Sequence, residues 1–410
     1  MKLKLGNFWF FVLINLSIFG QINVKMMSYN LLHYPTGTSI DRKDNLSYVL
    51  NAYQPDILAV CELENQAGAD EILNYCLQTN DNRYSGANFM YNQSGYYQNL
   101  NQMLYYNHIK FELLQQTIVQ TYLRDINHYT LRLRTQNTAT SPIIDVYVAH
   151  LKASSGNGND RLNMVNNFTD DLVNIPADHF VIFTGDFNLY TSTESAYVEL
   201  LDNTNAIVLK DPINRPGSWH NNINFKDIFS QSTHSVSEDQ YVGGGLDDRF
   251  DFILLSENTF NNTHFQYKAS SYHSYGNNGT CINKSINSND CQGSIYDQTL
   301  RNHLYLMSDH LPIVLELESI DSSLKIEKNN NISSAFIINS SEINESVRIN
   351  MGEISTANIK IINILGQIMI QKNNYKNKQT LDINKLKNGL YLLMIQKENY
   401  TKTLKFVKTN

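Results

Sequence analysis

Short apolar runs separated by turn residues divide most of this chain into pieces of strand length. Strand-like runs cover residues 24–30, 57–61, 102–106, 130–134, 143–148, 180–183 and 312–318. Residues 45–53 and 161–173 instead place their apolar positions at helical spacing. Strands that alternate with helices indicate a mixed α/β fold. We therefore expect residues 21–320 to form a two-layered β-sandwich of mixed sheets, flanked by helices.

The pattern changes after residue 320. Residues 321–340 are rich in Ser, Asn and Lys, which is typical of a linker. Strand signals then return and are separated by Gly-containing turns, at residues 357–363, 368–370, 381–386 and 390–395. Short strands of this kind predict a small C-terminal β-sandwich over residues 341–410.

The C-terminal segment resembles the sorting domain that type IX secretion machinery recognises. The resemblance rests on residues 361–367, 381–383, 386–393 and 405–408. A generic adhesive β-module is the alternative, because a strand pattern alone does not separate the two. The resemblance implies export, with the secretion machinery as a partner.

The N-terminus predicts an export signal. Lys2 and Lys4 precede an apolar run over residues 8–19, and Gly20 is a small residue suited to cleavage. A membrane anchor needs about 20 apolar residues, more than this run offers. We expect residues 1–20 to be a signal peptide, and the mature protein to be a monomer without stable membrane insertion. It would cross the periplasm and end up secreted or on the cell surface.

The charge of the chain is distributed unevenly among its segments. The chain carries −7 overall, residues 321–410 carry +6 and the first twenty carry +2, which leaves −15 on residues 21–320. A domain this acidic needs bound cations, or a few local Arg and Lys residues, to hold phosphate.

The four cysteines differ in their surroundings. Cys281 and Cys291 flank a polar loop and predict a local disulfide. Cys61 lies in an apolar strand and predicts a buried thiol.

Three runs far apart in the chain each place a histidine or carboxylate at the end of an apolar strand pattern. They are residues 148–152, 184–188 and 307–312, and they supply His150, Asp186, Asn188, Asp309 and His310. Metal ligands and proton-transfer groups brought to one edge of a sheet are what a hydrolytic metal site needs. Each run alone is equally compatible with a turn or a helix cap that has no catalytic role. The three together predict a metal-dependent phosphoester hydrolase.

With three further motifs in the same order, the domain resembles the endonuclease/exonuclease/phosphatase superfamily, of the deoxyribonuclease I type. The motifs are residues 28–31, residues 55–58 leading to Glu62, His150, residues 185–188, residues 249–253 and residues 308–312. The resemblance spans residues 24–318 and implies a deoxyribonuclease I-like fold.

The resemblance also implies a role for each residue. Asn30, Glu62 and Asp309 would hold a hard divalent cation, Mg²⁺ or in its place Mn²⁺ or Ca²⁺. His310 is the candidate general acid or base, and Asp251 would orient it. Asp186 and Asn188 would position the attacking water and a phosphate oxygen, with Asp186 a candidate second metal ligand. His150 would bind phosphate or act as the opposite proton donor.

Some positions depart from the family pattern. Cys61 stands where glutamine often precedes the metal-binding glutamate, and Glu64 competes with Glu62 as the ligand. Tyr97 and Arg124 occupy places that resemble phosphate-contacting positions of the deoxyribonuclease, so the resemblance implies substrate binding there. Asn99 stands where a glutamate is expected, which leaves the partner of His150 open.

Three hypotheses of function follow. The first is an exported nuclease that hydrolyses phosphodiester bonds of DNA or RNA. Arg124, Lys152 and Arg161 would contact the sugar-phosphate backbone of the nucleic acid. The second is a phosphodiesterase or phosphatase acting on lipid or small-molecule phosphoesters, which the acidic charge permits more readily. The third is a non-catalytic binding module displayed by the sorting domain, against which the intact set of site residues argues.

Overall fold

The computed structural model describes residues 20–78, 82–95, 99–135, 138–321, 336–337, 345–351, 355–364, 366–397 and 400–409. The chain divides into two compact units, residues 1–324 and 325–410, and each is described by itself. The predicted signal peptide and most of the predicted linker lie outside the described residues.

The first unit contains short strands interrupted by helices, as the apolar pattern predicts. Its strands are Gly20–Tyr34 (β1), Ile57–Leu63 (β2), Tyr84–Gly86 (β3), Asn101–Asn107 (β4), Phe111–Val119 (β5), Ile126–Leu133 (β6), Ile143–His150 (β7), Phe180–Asp186 (β8), Leu209–Lys210 (β9), Asp251–Ser256 (β10), Phe265–Tyr267 (β11), His273–Ser274 (β12) and Ile313–Asp321 (β13). Its α-helices are Lys43–Tyr53 (α1), Gln66–Glu71 (α2), Gly158–Asp171 (α3), Ser195–Leu200 (α4), Asn258–Asn261 (α5) and Gln298–Met307 (α6).

The strands form two mixed sheets. The first has the order β11-β13-β1-β2-β4-β3, with β12 also paired to β13, and the second has the order β5-β6-β7-β8-β10-β9. Each sheet has one parallel pair at its centre, β1 with β2 and β7 with β8, and antiparallel strands around it. The predicted fold class, two mixed sheets with helices outside, is confirmed.

The core between the sheets is built by strict alternation along the central strands. Val24 and Met26 of β1 lie in one apolar cluster with Val146 and Val148 of β7 and Ile182 of β8. Since side chains alternate between the two faces of a strand, the intervening residues point outwards. There they pack under the helices, where Leu46, Val49 and Leu50 of α1 and Met164, Val165 and Phe168 of α3 belong to a second cluster.

The second unit consists of two small antiparallel sheets. The strands are Phe336–Ile337 (β14), Ser346–Asn350 (β15), Thr356–Asn363 (β16), Ile368–Lys376 (β17), Thr380–Asp382 (β18), Gly389–Lys397 (β19) and Tyr400–Lys408 (β20). One sheet has the order β14-β15-β18 and the other β17-β16-β19-β20. A shared apolar cluster that includes Ile349, Ile361 and Leu393 packs between them, as expected for a small β-sandwich.

The cysteine predictions are confirmed in the first unit. Cys281 and Cys291 form a disulfide, and Cys61 is a buried free thiol. Among the described residues, no helix is long and apolar enough to cross a membrane.

A buried ion pair fixes the start of β10. Arg249 donates from Nη1 to Asp211 Oδ2 (2.8 Å) and from Nη2 to Asp211 Oδ1 (2.9 Å), and its guanidinium lies 4.2 Å from the centre of the Phe252 ring. Burial alone would raise the pKa of Asp211, but the charge and hydrogen bonds of Arg249 and the hydroxyl of Tyr197 outweigh it, so this pKa is lowered. The pair stabilises the segment that leads directly into Asp251.

Asp211→Asn is expected to destabilise the first unit by about 3–5 kcal/mol, because Arg249 is left as an uncompensated buried charge. A group whose pKa is depressed on folding stabilises the protein above its unfolded-state pKa and loses that contribution on acidification. Urea unfolding followed by circular dichroism at pH 7 and at pH 3 should therefore show a larger difference between wild type and variant at pH 7. The exposed Asp178→Asn is the control, and equal midpoints for Asp211→Asn and wild type at pH 7 would contradict the account.

Candidate functional site

The inner rows of the central strands end in polar residues at one edge of the sandwich. In β1 the row Val24, Met26, Ser28 continues to Asn30; in β7 the row ends at His150, and in β8 at Asp186. The antiparallel strand β10 begins at this edge with Asp251. Asp186 pairs in register with His150 on one side and with Asp251 on the other, so the three residues lie side by side.

Gly185 permits this close alignment. Its φ is +136°, and a Cβ at this position would lie 1.9 Å from the carbonyl oxygen of Ala149. Any other residue would push β8 away from β7 and separate Asp186 from His150. The chain then turns at Asn188, which has a φ of +51° and donates its backbone N–H to Asp186 Oδ1 (3.0 Å).

Asn30 lies at the centre of the cluster. Its Nδ2 donates to Glu62 Oε1 and to Asp186 Oδ2, both at 3.0 Å. His150 Nε2 lies 3.7 Å from Glu62 Oε1 and 3.6 Å from Asp186 Oδ2. The two sheets thus bring together side chains that are up to 156 residues apart in sequence.

His310 enters the cluster from the segment before β13 and is held by Asp251. Its Nδ1 lies 2.7 Å from Asp251 Oδ2, and its Nε2 lies 3.7 Å from Asp186 Oδ2. Burial opposes the charged imidazolium, but the carboxylates of Asp251 and Asp186 outweigh burial and raise the pKa of His310 well above its usual value. The raised pKa favours the charged, proton-donating form of His310, and the contact with Asp251 fixes the ring, while the catalytic roles of the two residues stay predictions.

The pKa values of two other groups in the cluster, Asp186 and His150, are shifted in opposite directions. Burial, together with the negative charges of Asp251 and Glu62, raises the pKa of Asp186. Burial and the neighbouring cations Arg124 and His310 lower the pKa of His150 well below its usual value. Asp186 is thus a stronger base than an ordinary carboxylate, and His150 is a neutral imidazole.

The backbone gives the side chains of Glu62 and Glu64, the two candidate metal ligands, different surroundings. Glu62 has a φ of +59°, at an irregularity of β2, and its Oε2 accepts from the backbone N–H of His33 (3.1 Å). Glu64 instead accepts from the backbone N–H of Thr36 at 3.2 Å. The left-handed turn aims Glu62 at the cluster and leaves Glu64 on the rim.

Asp309, which precedes His310 in the sequence, is buried. Its Oδ2 accepts from the backbone N–H of Val242 (3.1 Å), whereas no hydrogen-bond partner for its buried Oδ1 is found among the described residues. Burial, with the charge of Glu62, raises the pKa of Asp309 to about 6. A buried carboxylate oxygen without a partner is costly unless a donor or a cation completes it.

These observations fit a divalent cation. Ligand atoms of Glu62, His150 and Asp186 lie within 4.8 Å of one another. The carboxylate of Asp309, whose Oδ1 has no hydrogen-bond partner among the described residues, interacts electrostatically with Glu62. Two or three carboxylates suit Mg²⁺ or Mn²⁺. Asn30 presents its amide nitrogen to the carboxylates while its Oδ1 accepts from Leu32 N–H (3.0 Å), so its predicted ligand role stays a prediction.

The predicted substrate-binding residues have different positions. Arg124 is buried, and its Nη1 donates to the carbonyl oxygens of His150 (3.4 Å) and Leu151 (3.2 Å). Asn188 donates from Nδ2 to the same Leu151 oxygen (3.2 Å). In this arrangement both side chains support the backbone around His150. Tyr97 lies outside the described residues.

The site also contains residues that the sequence does not reveal. The side-chain amide of Gln231 lies 2.8 Å from His310 Nε2, and His33 Nε2 lies 3.6 Å from Glu62 Oε2. Gln231 belongs to an irregular segment without a motif around it, so no signal in the sequence would have found it. His33 lies at the end of β1, just beyond the motif at residues 28–31, and the sequence analysis does not single it out.

Arg42 is a third such residue. Its guanidinium donates to the carbonyl oxygens of Leu31 (2.8 Å), Leu32 (2.7 Å) and Met307 (2.8 Å). It therefore links the end of β1, which carries Asn30, to the segment that carries Asp309 and His310.

Comparisons with known proteins agree with two parts of this picture. Residues 343–409 match the family model of the secretion system C-terminal sorting domain. This match confirms the prediction for the C-terminal unit and, with it, the expectation of export to the cell surface or beyond. No curated protein matches the chain.

Several solved structures are similar to the chain at low sequence identity. A Bacteroides vulgatus endonuclease/exonuclease/phosphatase has a TM-score of 0.48 at 16% identity, over 73% of this chain and 99% of that one. The human Nocturnin catalytic domain has a TM-score of 0.46 at 17% identity, over 72% and 94%. A mannosyl-6-phosphatase from Bacteroides thetaiotaomicron has a TM-score of 0.45 at 14% identity, over 72% and 99%.

Asp251→Asn is expected to lower the pKa of His310 by more than about one unit, because it removes the carboxylate that stabilises the imidazolium. The measurement is an NMR pH titration of the metal-free protein labelled at the histidine ring carbons. The exposed Asp178→Asn, beyond the opposite end of β8 from Asp186, should leave the titration of His310 as in wild type. An unchanged His310 pKa in Asp251→Asn would show that Asp251 does not set its charge.

Proposed function

We propose that the first unit is a divalent-metal-dependent phosphoester hydrolase that acts outside the cell. The observation that carries this proposal is the cluster of Asn30, Glu62, His150, Asp186 and His310, whose polar atoms lie 3.0 to 3.7 Å apart. The cluster combines cation ligands, a base and a charged proton donor at one sheet edge. The sorting domain is proposed to be read by type IX secretion machinery.

Glu62 and Asp186 would hold the cation, with the unpaired oxygen of Asp309 and the Asn30 side chain as further candidates. The bound cation, Mg²⁺ or Mn²⁺, would polarise the phosphate and neutralise the oxygen that leaves it. It would also offset the negative charge that these buried carboxylates carry.

The protein's own groups would perform the remaining steps. Asp186 accepts a proton from the attacking water, and Asn188 helps to position that water through the hydrogen bond from its backbone N–H to Asp186 Oδ1. His310 donates from its charged ring to a phosphate oxygen, with Asp251 keeping its orientation. His150, which is neutral, offers a hydrogen bond to the phosphate rather than a labile proton.

Nucleic acid stays the substrate predicted from sequence, but the environment of the site favours the second candidate, a small phosphoester. Arg161, one of the predicted backbone contacts, is 0% exposed and bound to Glu194 (2.6 Å). Arg124 and Arg42 are buried and donate to backbone carbonyl oxygens. These guanidinium groups support the fold and do not form a phosphate-binding track, which a polymeric nucleic acid requires.

The purified protein is expected to hydrolyse bis(p-nitrophenyl) phosphate or p-nitrophenyl phosphate with Mg²⁺ or Mn²⁺, and to stop when EDTA is added. His310→Ala should lower kcat by about 10²–10⁴-fold, the usual contribution of a general acid or base. Nicking of supercoiled plasmid in parallel distinguishes the nuclease from the small-phosphoester enzyme. Hydrolysis that EDTA leaves intact would reject the metal-dependent mechanism.

Glu62→Gln and Glu64→Gln form a matched pair for the metal ligand. Glu62→Gln is expected to raise the Mg²⁺ concentration for half-maximal activity by at least about tenfold, since it removes a carboxylate ligand. Glu64→Gln should stay close to wild type, because its carboxylate binds Thr36 on the rim. The reverse order of the two variants in a Mg²⁺ titration would assign the ligand to Glu64.

A further inference from the structure

His33 lies beside Glu62, the proposed metal ligand, and no step of the proposed mechanism uses it. The backbone N–H of His33 donates to Glu62 Oε2 at 3.1 Å, and its ring atom Nε2 lies 3.6 Å from the same oxygen. The other ring nitrogen, Nδ1, lies 3.9 Å from Glu64 Oε1. The imidazole ring therefore lies between the two glutamates, with Nε2 on the side of Glu62.

One turn at the end of β1 brings two residues to the carboxylate of Glu62. Asn30 Nδ2 donates to Glu62 Oε1 at 3.0 Å, whereas His33 contacts Oε2. Asn30 Oδ1 accepts from the backbone N–H of Leu32 (3.0 Å), which fixes the two contacting residues relative to each other. Of the two oxygens, Oε1 is the one that lies 3.7 Å from His150 Nε2, inside the cluster. The contact of His33 with Oε2 thus leaves Oε1 directed at the cation site.

The backbone at His33 has a conformation that non-glycine residues disfavour. Leu32 and His33 both have a φ of +48°. Arg42 stabilises this turn, because its Nη2 donates to the carbonyl oxygens of Leu32 (2.7 Å) and His33 (3.3 Å). Gly37 leaves room for the histidine side chain, since a Cβ at position 37 would lie 2.2 Å from His33 Cβ. Backbone strain that the surrounding structure maintains in this way is concentrated at functional sites.

The ring of His33 is more accessible than the carboxylate that it contacts. The side chain of His33 is 33% exposed, whereas that of Glu62 is 11% exposed. A carboxylate binds a cation well only when its orientation is fixed, and groups that contact a metal ligand supply this orientation. Loss of such a group typically weakens metal binding about 10–100-fold.

We propose that His33 is a positioning residue for the metal ligand Glu62. Its ring and its backbone N–H hold Glu62 Oε2, so that Oε1 points into the cation site. His33 acts through Glu62 and contributes no ligand atom of its own. This inference rests on the proposed metal-dependent hydrolase function, which makes Glu62 a ligand.

The test is Mn²⁺ binding to the purified protein without substrate, measured by the loss of the EPR signal of free Mn²⁺. His33→Asn keeps an amide near the place of Nδ1 but ends before Nε2, and asparagine tolerates a positive φ. It is expected to raise the Kd for Mn²⁺ about tenfold. His33→Gln, whose amide reaches the place of Nε2, should recover part of the loss. An unchanged Kd in His33→Asn would overturn the role.

A double-mutant cycle identifies the residue through which His33 acts. In the Glu62→Gln background, His33→Asn should weaken Mn²⁺ binding no further, because the oxygen pair that it orients is gone. In the Glu64→Gln background the full loss should remain. The reverse pattern would overturn the proposal and assign the effect to Glu64.

Turnover of p-nitrophenyl phosphate separates this role from substrate binding and from the proposed function. The rate that His33→Asn loses at limiting Mn²⁺ should return as Mn²⁺ is raised to saturation. A raised KM for the ester at saturating Mn²⁺ would show contact with the substrate and overturn the role. If the variants change Mn²⁺ binding as expected but the wild type hydrolyses no phosphoester, the hydrolase function is rejected and the positioning of Glu62 stays supported.

Discussion

The alternation of side chains in two parallel strand pairs is the constraint on which the site depends. In β1, β7 and β8 the apolar inner rows end in Asn30, His150 and Asp186. Because both parallel pairs run towards the same edge of the sandwich, the row ends of two sheets converge there. The antiparallel neighbours β10 and β13 start at that edge and add Asp251 and His310. A shift of one residue in any of these strands would turn its polar end towards the helices.

The same geometry places four carboxylates together in a buried site, which is electrostatically unfavourable. Glu62, Asp186, Asp251 and Asp309 are each at most 8% exposed, and burial disfavours their charged forms. Within the cluster the nearest countercharge is His310, which pairs with Asp251 at 2.7 Å. Burial raises the pKa values of Asp186 and Asp309, and the negative charge of Glu62 adds to both shifts. A divalent cation bound between these carboxylates would reduce their repulsion. The strand ends that bring the carboxylates together thus also create the need for a cation.

The sequence predicts the strands and the residues at their ends because apolar alternation and motif order are local signals. It does not predict contacts made by irregular segments. Gln231 reaches His310 through a loop without periodicity, and Arg42 acts through backbone carbonyl oxygens that no motif encodes. The preference for Glu62 over Glu64 depends on a left-handed backbone turn. The prediction of nucleic-acid contacts at Arg124, Lys152 and Arg161 rested on their positions in the sequence, which do not reveal burial, and Arg161 is buried against Glu194.

The central claim is that the ends of these rows form one divalent-metal site. Anomalous diffraction from crystals soaked with Mn²⁺ tests it most directly. The account predicts an anomalous peak in contact with a Glu62 carboxylate oxygen, bordered by Asp186, and its loss in Glu62→Gln crystals. A peak confined to His220, Asp247 and Asp248, or no peak beside Glu62 at saturating Mn²⁺, would contradict it.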